Sequence, residues 1–242
     1  MSVANVWTVF KKEFRVYFNS PIAYILLTVF LVFCGWWFFF FTPFFVIGQA
    51  EMRNLFGVLP FVFLFLVPAV SMRLWAEERK LGTVELVLSY PLRDAEVVIG
   101  KYLAALAFLI LAIGLTFPIP ASVGFLGDPD TGPIWGSYIG SVLLAAAYLS
   151  IGCFASAITR DQIVAFVVGL TFCAAFYLVG IAAQYGGLPP LLGSILSYLG
   201  LSTHFESVAR GVIDSRDVVY YLALIGLFLS ATIYTLRGYR QG

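Results

Sequence analysis

EERKLGTVELVLSYPLRDAEVVIGKY, Glu77 to Tyr102, is the one stretch of this chain built like the surface of a water-soluble protein. It holds nine charged side chains: Glu77, Glu78, Arg79, Lys80, Glu85, Arg93, Asp94, Glu96 and Lys101. The whole chain of 242 residues has only 14 basic and 13 acidic ones. Upstream, Val16 to Ala50 carries no charge at all. A third of the charge is thus gathered between long apolar runs, and that contrast decides how the chain must be folded.

The hydrophobic fraction is 61%, the charged fraction 11% and the mean hydropathy +0.96. A soluble domain has about 25% charged and about 45–50% apolar residues. What remains here cannot cover a water-facing surface, so the composition predicts an integral membrane protein in contact with a lipid bilayer. The net charge of +1, without a polybasic tail, gives no footing for a nucleic-acid partner. Cys34, Cys153 and Cys173 lie in apolar runs without C-x-x-C spacing, so neither a disulfide framework nor a metal site is expected. The first apolar run is far too long for a cleavable signal peptide.

A helix needs about 20 apolar residues to cross a bilayer. The runs predict six spans: Pro21 to Phe41, Leu55 to Met72, Tyr102 to Phe125, Ile134 to Ile158, Ile163 to Tyr185 and Val218 to Leu236. Asn19-Ser20-Pro21 reads as a cap followed by proline in the first helical position. Pro118 and Pro120 are expected to kink the third span. Leu188 to Ser202 is apolar but short and opens with Pro189-Pro190, so residues 186–217 are read as a re-entrant or interfacial outer segment. The fold class is all-α, one transmembrane domain over residues 1–242.

Six spans place both termini on one side. If that side is the cytoplasm, the inner segments hold Lys11, Lys12, Arg15, Arg73, Arg79, Lys80, Arg93, Lys101, Arg160, Arg237 and Arg240. The outer ones hold Arg53, Arg210 and Arg216. That asymmetry is the positive-inside pattern. Residues 73–101 are then the main cytoplasmic loop. Its charges nearly balance, which fits a protein partner better than a lipid-headgroup patch. Thr83 can cap a short helix with Val84, Val87 and Leu88 on one side, and Pro91 stops it. Asp94 can cap the following helix, with Glu96 in its first turn. The competing reading is a plain solvated turn.

Residues 1–20 form a further element. Val3, Val6, Trp7, Phe10, Phe14, Tyr17 and Phe18 recur at i, i+3, i+4 and i+7, with Lys12 and Arg15 opposite. This predicts an amphipathic helix lying in the membrane interface.

Taken together, these features look like a known family. An interfacial helix ends in Asn19-Ser20-Pro21, and the second span ends in Val67-Pro68-Ala69-Val70-Ser71-Met72-Arg73. Glu78, Gly82, Thr83 and Glu85 then make an E-x-x-x-G-T-x-E pattern before Pro91 and Gly100-Lys101. That succession resembles the membrane permeases of type-2 ABC exporters, most closely the gliding-motility-associated (GldF-type) branch. His204-Phe205-Glu206 through Asp214 resembles the segment before the last span of that branch. The resemblance implies a multi-pass permease of the bacterial inner membrane that pairs with a second permease, as a homodimer or heterodimer. It implies an ABC ATPase as a separate subunit that carries ATP and magnesium, with no cofactor in this chain. It also implies that the interfacial helix, including Lys11 and Arg15, and the loop residues Glu77, Glu78, Gly82, Thr83, Val84, Glu85, Val87 and Leu88 form the contact with that ATPase.

The residues agree with a chain energised from outside. It has no G-x-x-x-x-G-K-[ST] phosphate loop, so it is not expected to be an enzyme. The interiors of the six predicted spans are uncharged, which disfavours an ion-coupled carrier and suits an apolar or amphipathic cargo. His204, the single histidine, is read as a polar residue near the start of an interfacial helix. Ser137, Ser141, Ser150 and Ser156 are read as packing residues, with Gly136 and Gly140 completing two small-x-x-x-small pairs. The other reading is a membrane scaffold of a motility or envelope assembly, with a companion bearing a periplasmic domain.

Overall fold

The computed structural model describes residues 2–42, 52–84, 92–127, 129–185, 189–209 and 214–241. Among them every regular element is helical. Helix α1, Val3–Asn19, carries the predicted aromatic stripe. Helix α2, Pro21–Trp36, follows after one extended residue and continues into a π-helical turn, Trp37–Phe41. Helix α3, Arg53–Ser71, leads through a turn to the short α4, Ala76–Lys80. Helix α5, Asp94–Gly114, breaks at residues 115–117 and resumes as α6, Pro118–Leu126, where proline was expected to bend the span. Helices α7, Thr131–Ile158, and α8, Gln162–Tyr185, are long and uninterrupted. Two short helices, α9 (Pro190–Leu199) and α10 (Leu201–Ala209), precede α11, Ser215–Gln241.

Among the described residues six stretches are long and apolar enough to cross a membrane: Pro21–Phe41, Arg53–Lys80, Asp94–Leu126, Thr131–Ile158, Gln162–Gln184 and Ser215–Tyr239. They match the six predicted spans, the first at both ends. The others begin or end further out, because the helices run past their apolar cores into the charged flanks.

Helix α7 is the axis of the bundle. In its most apolar stretch 78% of residues are buried, against 17% for α11. It touches α3, α5, α8, α10 and α11. Small residues allow this: Ala145, Ala147, Gly152, Ala155 and Ala157 are all buried on it and let neighbouring backbones come close. The outer helices instead turn apolar side chains away from the core, such as Val29 and Val32 on α2 and Leu222 and Leu227 on α11. Such faces need a hydrocarbon solvent.

Neither α9 nor α10 is long enough to cross a bilayer by itself. A ten-residue helix is about 15 Å long, half the bilayer core. Helix α9 lies along α8, and α10 wedges against α7, α8 and α3. The Gly136 and Gly140 face of α7, left open by the sequence, packs within the chain: a Cβ on Gly140 would lie 2.8 Å from Val208 Cγ1 of α10. Ser137 on the same face donates to the Ala209 carbonyl at 3.3 Å.

Two capping expectations are corrected. Ser20 sits before Pro21 with extended backbone, but its hydroxyl makes no cap. It accepts instead from an Arg73 guanidinium nitrogen at 2.8 Å, because a charged donor outcompetes a backbone amide. Asp94 is not the cap of α5 either. Arg93 holds the N-cap position, and Glu96 reaches back to its backbone N–H at 3.2 Å, while Asp94 sits inside the first turn facing Arg237 at 3.8 Å.

Candidate coupling site

Helix α4 starts immediately after α3 because the intervening turn is pinned by Ser156 of α7. The Ser156 hydroxyl accepts from the backbone N–H groups of Trp75 (3.1 Å) and Ala76 (3.0 Å) and donates to the Met72 carbonyl (3.0 Å). The two amides it serves lie at the start of α4, where first-turn N–H groups have no helical partner. The sequence reading took Ser156 for a packing residue. Its hydrogen-bonding role comes from 80 residues away and has no local signal.

Helix α4 ends as abruptly. Thr83 N–H bonds to the Glu78 carbonyl at 2.9 Å and Gly82 N–H to the Arg79 carbonyl at 3.3 Å. This is the paired closure of a Schellman motif, with Gly82 at φ +69° in the left-handed region. Among the described residues it is the only one with positive φ. The G-T of the E-x-x-x-G-T-x-E pattern is therefore a helix stop, and the Thr83 hydroxyl donates back to the Glu78 carbonyl, at 3.3 Å, which leaves its lone pairs open to accept. Val84 is buried. Glu85, Val87 and Leu88, with the rest of the expected coupling helix, lie outside the described residues.

The stopped helix presents Glu78 to Lys101. Lys101 Nζ lies 2.8 Å from Glu78 Oε1, 3.4 Å from Glu13 Oε1 and 3.0 Å from the Leu74 carbonyl. It also sits over the Trp75 ring, 4.9 Å from the centroid. Only 3% of its side chain is exposed. One ammonium thus joins α1, α4 and α5. The helix carrying Lys101 starts eight residues before the predicted span, so the charge is buried at the mouth of an otherwise uncharged interior.

Helix α1 is held along α5 by more than this pair. Glu96 accepts from the Ser2 N–H at 2.6 Å and from Asn5 at 2.9 Å. A Cβ on Gly100 would lie 2.7 Å from Val9 Cβ, so only glycine lets the two helices approach this closely. Tyr17 stacks on Phe108 at 5.0 Å and donates to the Val70 carbonyl at 3.3 Å. Around the hub, Arg73 pairs with Glu77 (3.2 Å), Arg79 donates to the Ala157 carbonyl (2.6 Å) and Lys80 pairs with Asp161 (2.9 Å). The Lys80 ammonium, hydrogen-bonded to Asp161, holds that carboxyl below the usual carboxylate range.

Lys11 and Arg15 remain exposed on α1, Lys11 over the Trp7 ring at 5.3 Å. Of the other expected site residues, Glu77, Glu78, Gly82 and Thr83 fall at this end of the bundle. Glu13, Lys101 and Ser156 complete the assembly and were not among them. A cavity of about 260 Å³ lies beside it, lined by Glu13, Tyr17, Ser20, Arg73, Glu78 and Lys101, among others.

At the other end, His204 contradicts its expected role. It is buried in the middle of α10, with Nδ1 2.7 Å from Asp217 Oδ1 of α11, so it fastens packed helices instead of facing an interface. No short-range pattern links residues 13 apart across a change of helix.

The geometry defines a class: a six-span helical membrane protein with two accessory helices locked to one end of its bundle. Residues 7–205 match the family model described as ABC-2 family transporter protein. That is most of the chain, from α1 into α10, and the chain belongs to this family: it is a permease subunit of an ABC transporter. No curated protein matches it.

Proposed function

We propose that this chain is the permease of an ATP-driven exporter whose engine, with ATP and magnesium, is a separate ABC ATPase docking on α1 and on the loop after Gly82. The observation that carries the reading is the Lys101 hub. A buried ammonium that grips one carboxylate on α1 and one on α4 makes both surface elements a single body with the third span. Force applied to either element is then delivered to α5 and, through Ser156, to α7. A buried charge in a membrane protein is costly and marks function.

The segments assigned to the inner side meet at this end: α1, α4, the start of α5, Asp161 and Arg237 are joined by the contacts above. We place this end in the cytoplasm of the bacterial inner membrane, on the lysine and arginine asymmetry. A second permease completes the transporter, and the cargo is apolar or amphipathic, in keeping with uncharged span interiors. The sequence succession from Val67 to Lys101 favours the gliding-motility-associated branch.

Docking is tested with Leu88→Asp, in the loop's expected apolar face. Truncating a buried anchor costs about 1–4 kcal/mol of binding. Leu88→Asp should lose both the co-purifying ATPase subunit and its permease-stimulated ATP hydrolysis, with the permease still inserted. Wild-type levels of both would reject the loop as docking element and favour the scaffold. Topology is tested with single cysteines: one at Ser89 should resist an impermeant thiol reagent in intact cells, and one at exposed Ser215 should react.

A further inference from the structure

The outer segment contains a buried histidine–carboxylate contact that the coupling reading does not use. Helices α9 and α10 form a hairpin, and His204 of α10 is its link to the first turn of α11. Both ring nitrogens meet acceptors: Nδ1 lies 2.7 Å from Asp217 Oδ1 and Nε2 lies 3.1 Å from the Tyr198 carbonyl of α9. The ring is stacked on Tyr220 of α11 at 4.0 Å and 18°, and the Tyr220 hydroxyl donates to the Leu199 carbonyl at 2.6 Å. A neutral imidazole has one N–H and would leave one nitrogen lone pair against an acceptor, whereas the imidazolium donates at both.

The carboxylate makes the same demand. Asp217 is 6% exposed, and its Oδ2 is buried without a hydrogen-bond partner among the described residues. A buried carboxylate of this kind is stabilised by a cation, and the imidazolium form of His204, 2.7 Å away, would supply it. Among the described residues, the other groups facing the ring are Tyr198 from α9 and Tyr220 and Tyr221 from α11, which bring rings and hydroxyls. Glu206, on α10 itself, accepts from Gln184 of α8 at 3.0 Å.

We propose that the His204–Asp217 pair is a pH-sensitive fastener that holds the α9–α10 hairpin onto the last span. In the protonated form both nitrogens donate and the carboxylate is compensated. Loss of one proton removes the counter-charge and one of the two hydrogen bonds, so the hairpin loosens as pH rises. The opposite face of α10 lines a cavity of about 480 Å³ with α3 and α8, through Ser202, Phe205 and Glu206, so releasing the fastener opens that cavity.

His204 is the only histidine, which makes it a clean spectroscopic reporter. The protein is labelled with ¹⁵N-histidine, placed in lipid nanodiscs and observed by solid-state NMR from about pH 5.5 to about pH 8.5, the range in which histidine changes charge. Two protonated ring nitrogens are expected at the acid end and one at the alkaline end. In parallel, a cysteine at buried Ser202 is compared with one at exposed Ser194, both read by mass spectrometry after thiol labelling. The ratio of the two rates cancels the pH dependence of thiol chemistry. It should rise about tenfold across the range, the worth of one hydrogen bond to a charged group. His204→Gln keeps a donor but cannot titrate, and Asp217→Asn removes the charge that needs compensation; each should make the ratio flat. A single N–H at the acid end, a flat ratio in the wild type, or a pH-dependent ratio surviving in both variants overturns the proposal. Nanodiscs expose both faces to the same buffer, so the outcome is independent of the topology proposed above.

Discussion

The two ends of the bundle fasten their short helices in different ways. At the end proposed above to be the inner one, α1 and α4 are tied down by charge: Lys101 between Glu13 and Glu78, Glu96 under the start of α1, Arg73 on Glu77 and Ser20. At the opposite end, α9 and α10 are held mainly by close backbone packing, Gly140 under Val208 and Gly180 against Gly200, with one buried His204–Asp217 contact. Charge gives a directional link between parts that must move together, since a buried ammonium cannot be left without its acceptors. Glycine packing gives a close fit that is lost progressively as helices separate. In the proposals above, the first arrangement belongs to the end that receives force and the second to the end that opens.

Lys101→Met should be the most damaging single change at the inner end. It leaves Glu13 and Glu78 without their shared cation, and breaking a buried pair costs about 3–5 kcal/mol. A large fall in thermal midpoint is expected by fluorescence-detected chromatography. Adding Glu13→Gln and Glu78→Gln should recover much of it, because the stranded carboxylates are gone. If the triple variant is no better than the single one, charge is not what holds this end.

Ser156→Ala is expected to cost about 1–3 kcal/mol, since the buried Trp75 and Ala76 amides lose their acceptor. Ser156→Thr should lose less. At the outer end, Gly140→Ala should cost about 1–3 kcal/mol by overpacking against Val208. It should loosen α10 in hydrogen exchange while leaving α1 protected. Equal loosening at both ends would erase the distinction between them.

Gly82→Ala should cost about 1 kcal/mol. Nothing lies within 4 Å of the new methyl, so the cost is the left-handed backbone alone. Its effect should fall on ATPase stimulation more than on overall stability, because it disturbs the helix stop that leads into the docking loop. Gly82→Asn, which tolerates this conformation, should be milder.

The smallest effect is expected from the Lys80–Asp161 pair, which is largely exposed. Asp161 has a depressed carboxyl pKa, so whatever the pair contributes is present above the unfolded carboxylate range and fades as pH falls through the folded value. Solvent screening keeps it small, and Asp161→Asn should leave the thermal midpoint unchanged at neutral pH. A clear shift would mean that the exposed rim shares the work of the buried hub.

The spans, the proline break between α5 and α6, the amphipathic α1 and the shortness of the helices before the last span were legible in the sequence. Each is set by local facts: the length of an apolar run, the missing N–H of proline, the 3.6-residue period. Gly82 at positive φ explains the glycine of the E-x-x-x-G-T-x-E pattern. Which charges met which was another matter. Lys101 reads as the last residue of a loop, and its burial between Glu13 and Glu78 depends on where α1 comes to lie along α5. Ser156 and His204 each read as bland residues, and each became a fastener through a partner on another helix. Apolar length and periodicity are written into successive residues, because water and lipid act on each segment separately. The pairing of buried polar groups is decided only when helices distant in sequence pack, since a buried donor must find its acceptor wherever the tertiary fold has put one.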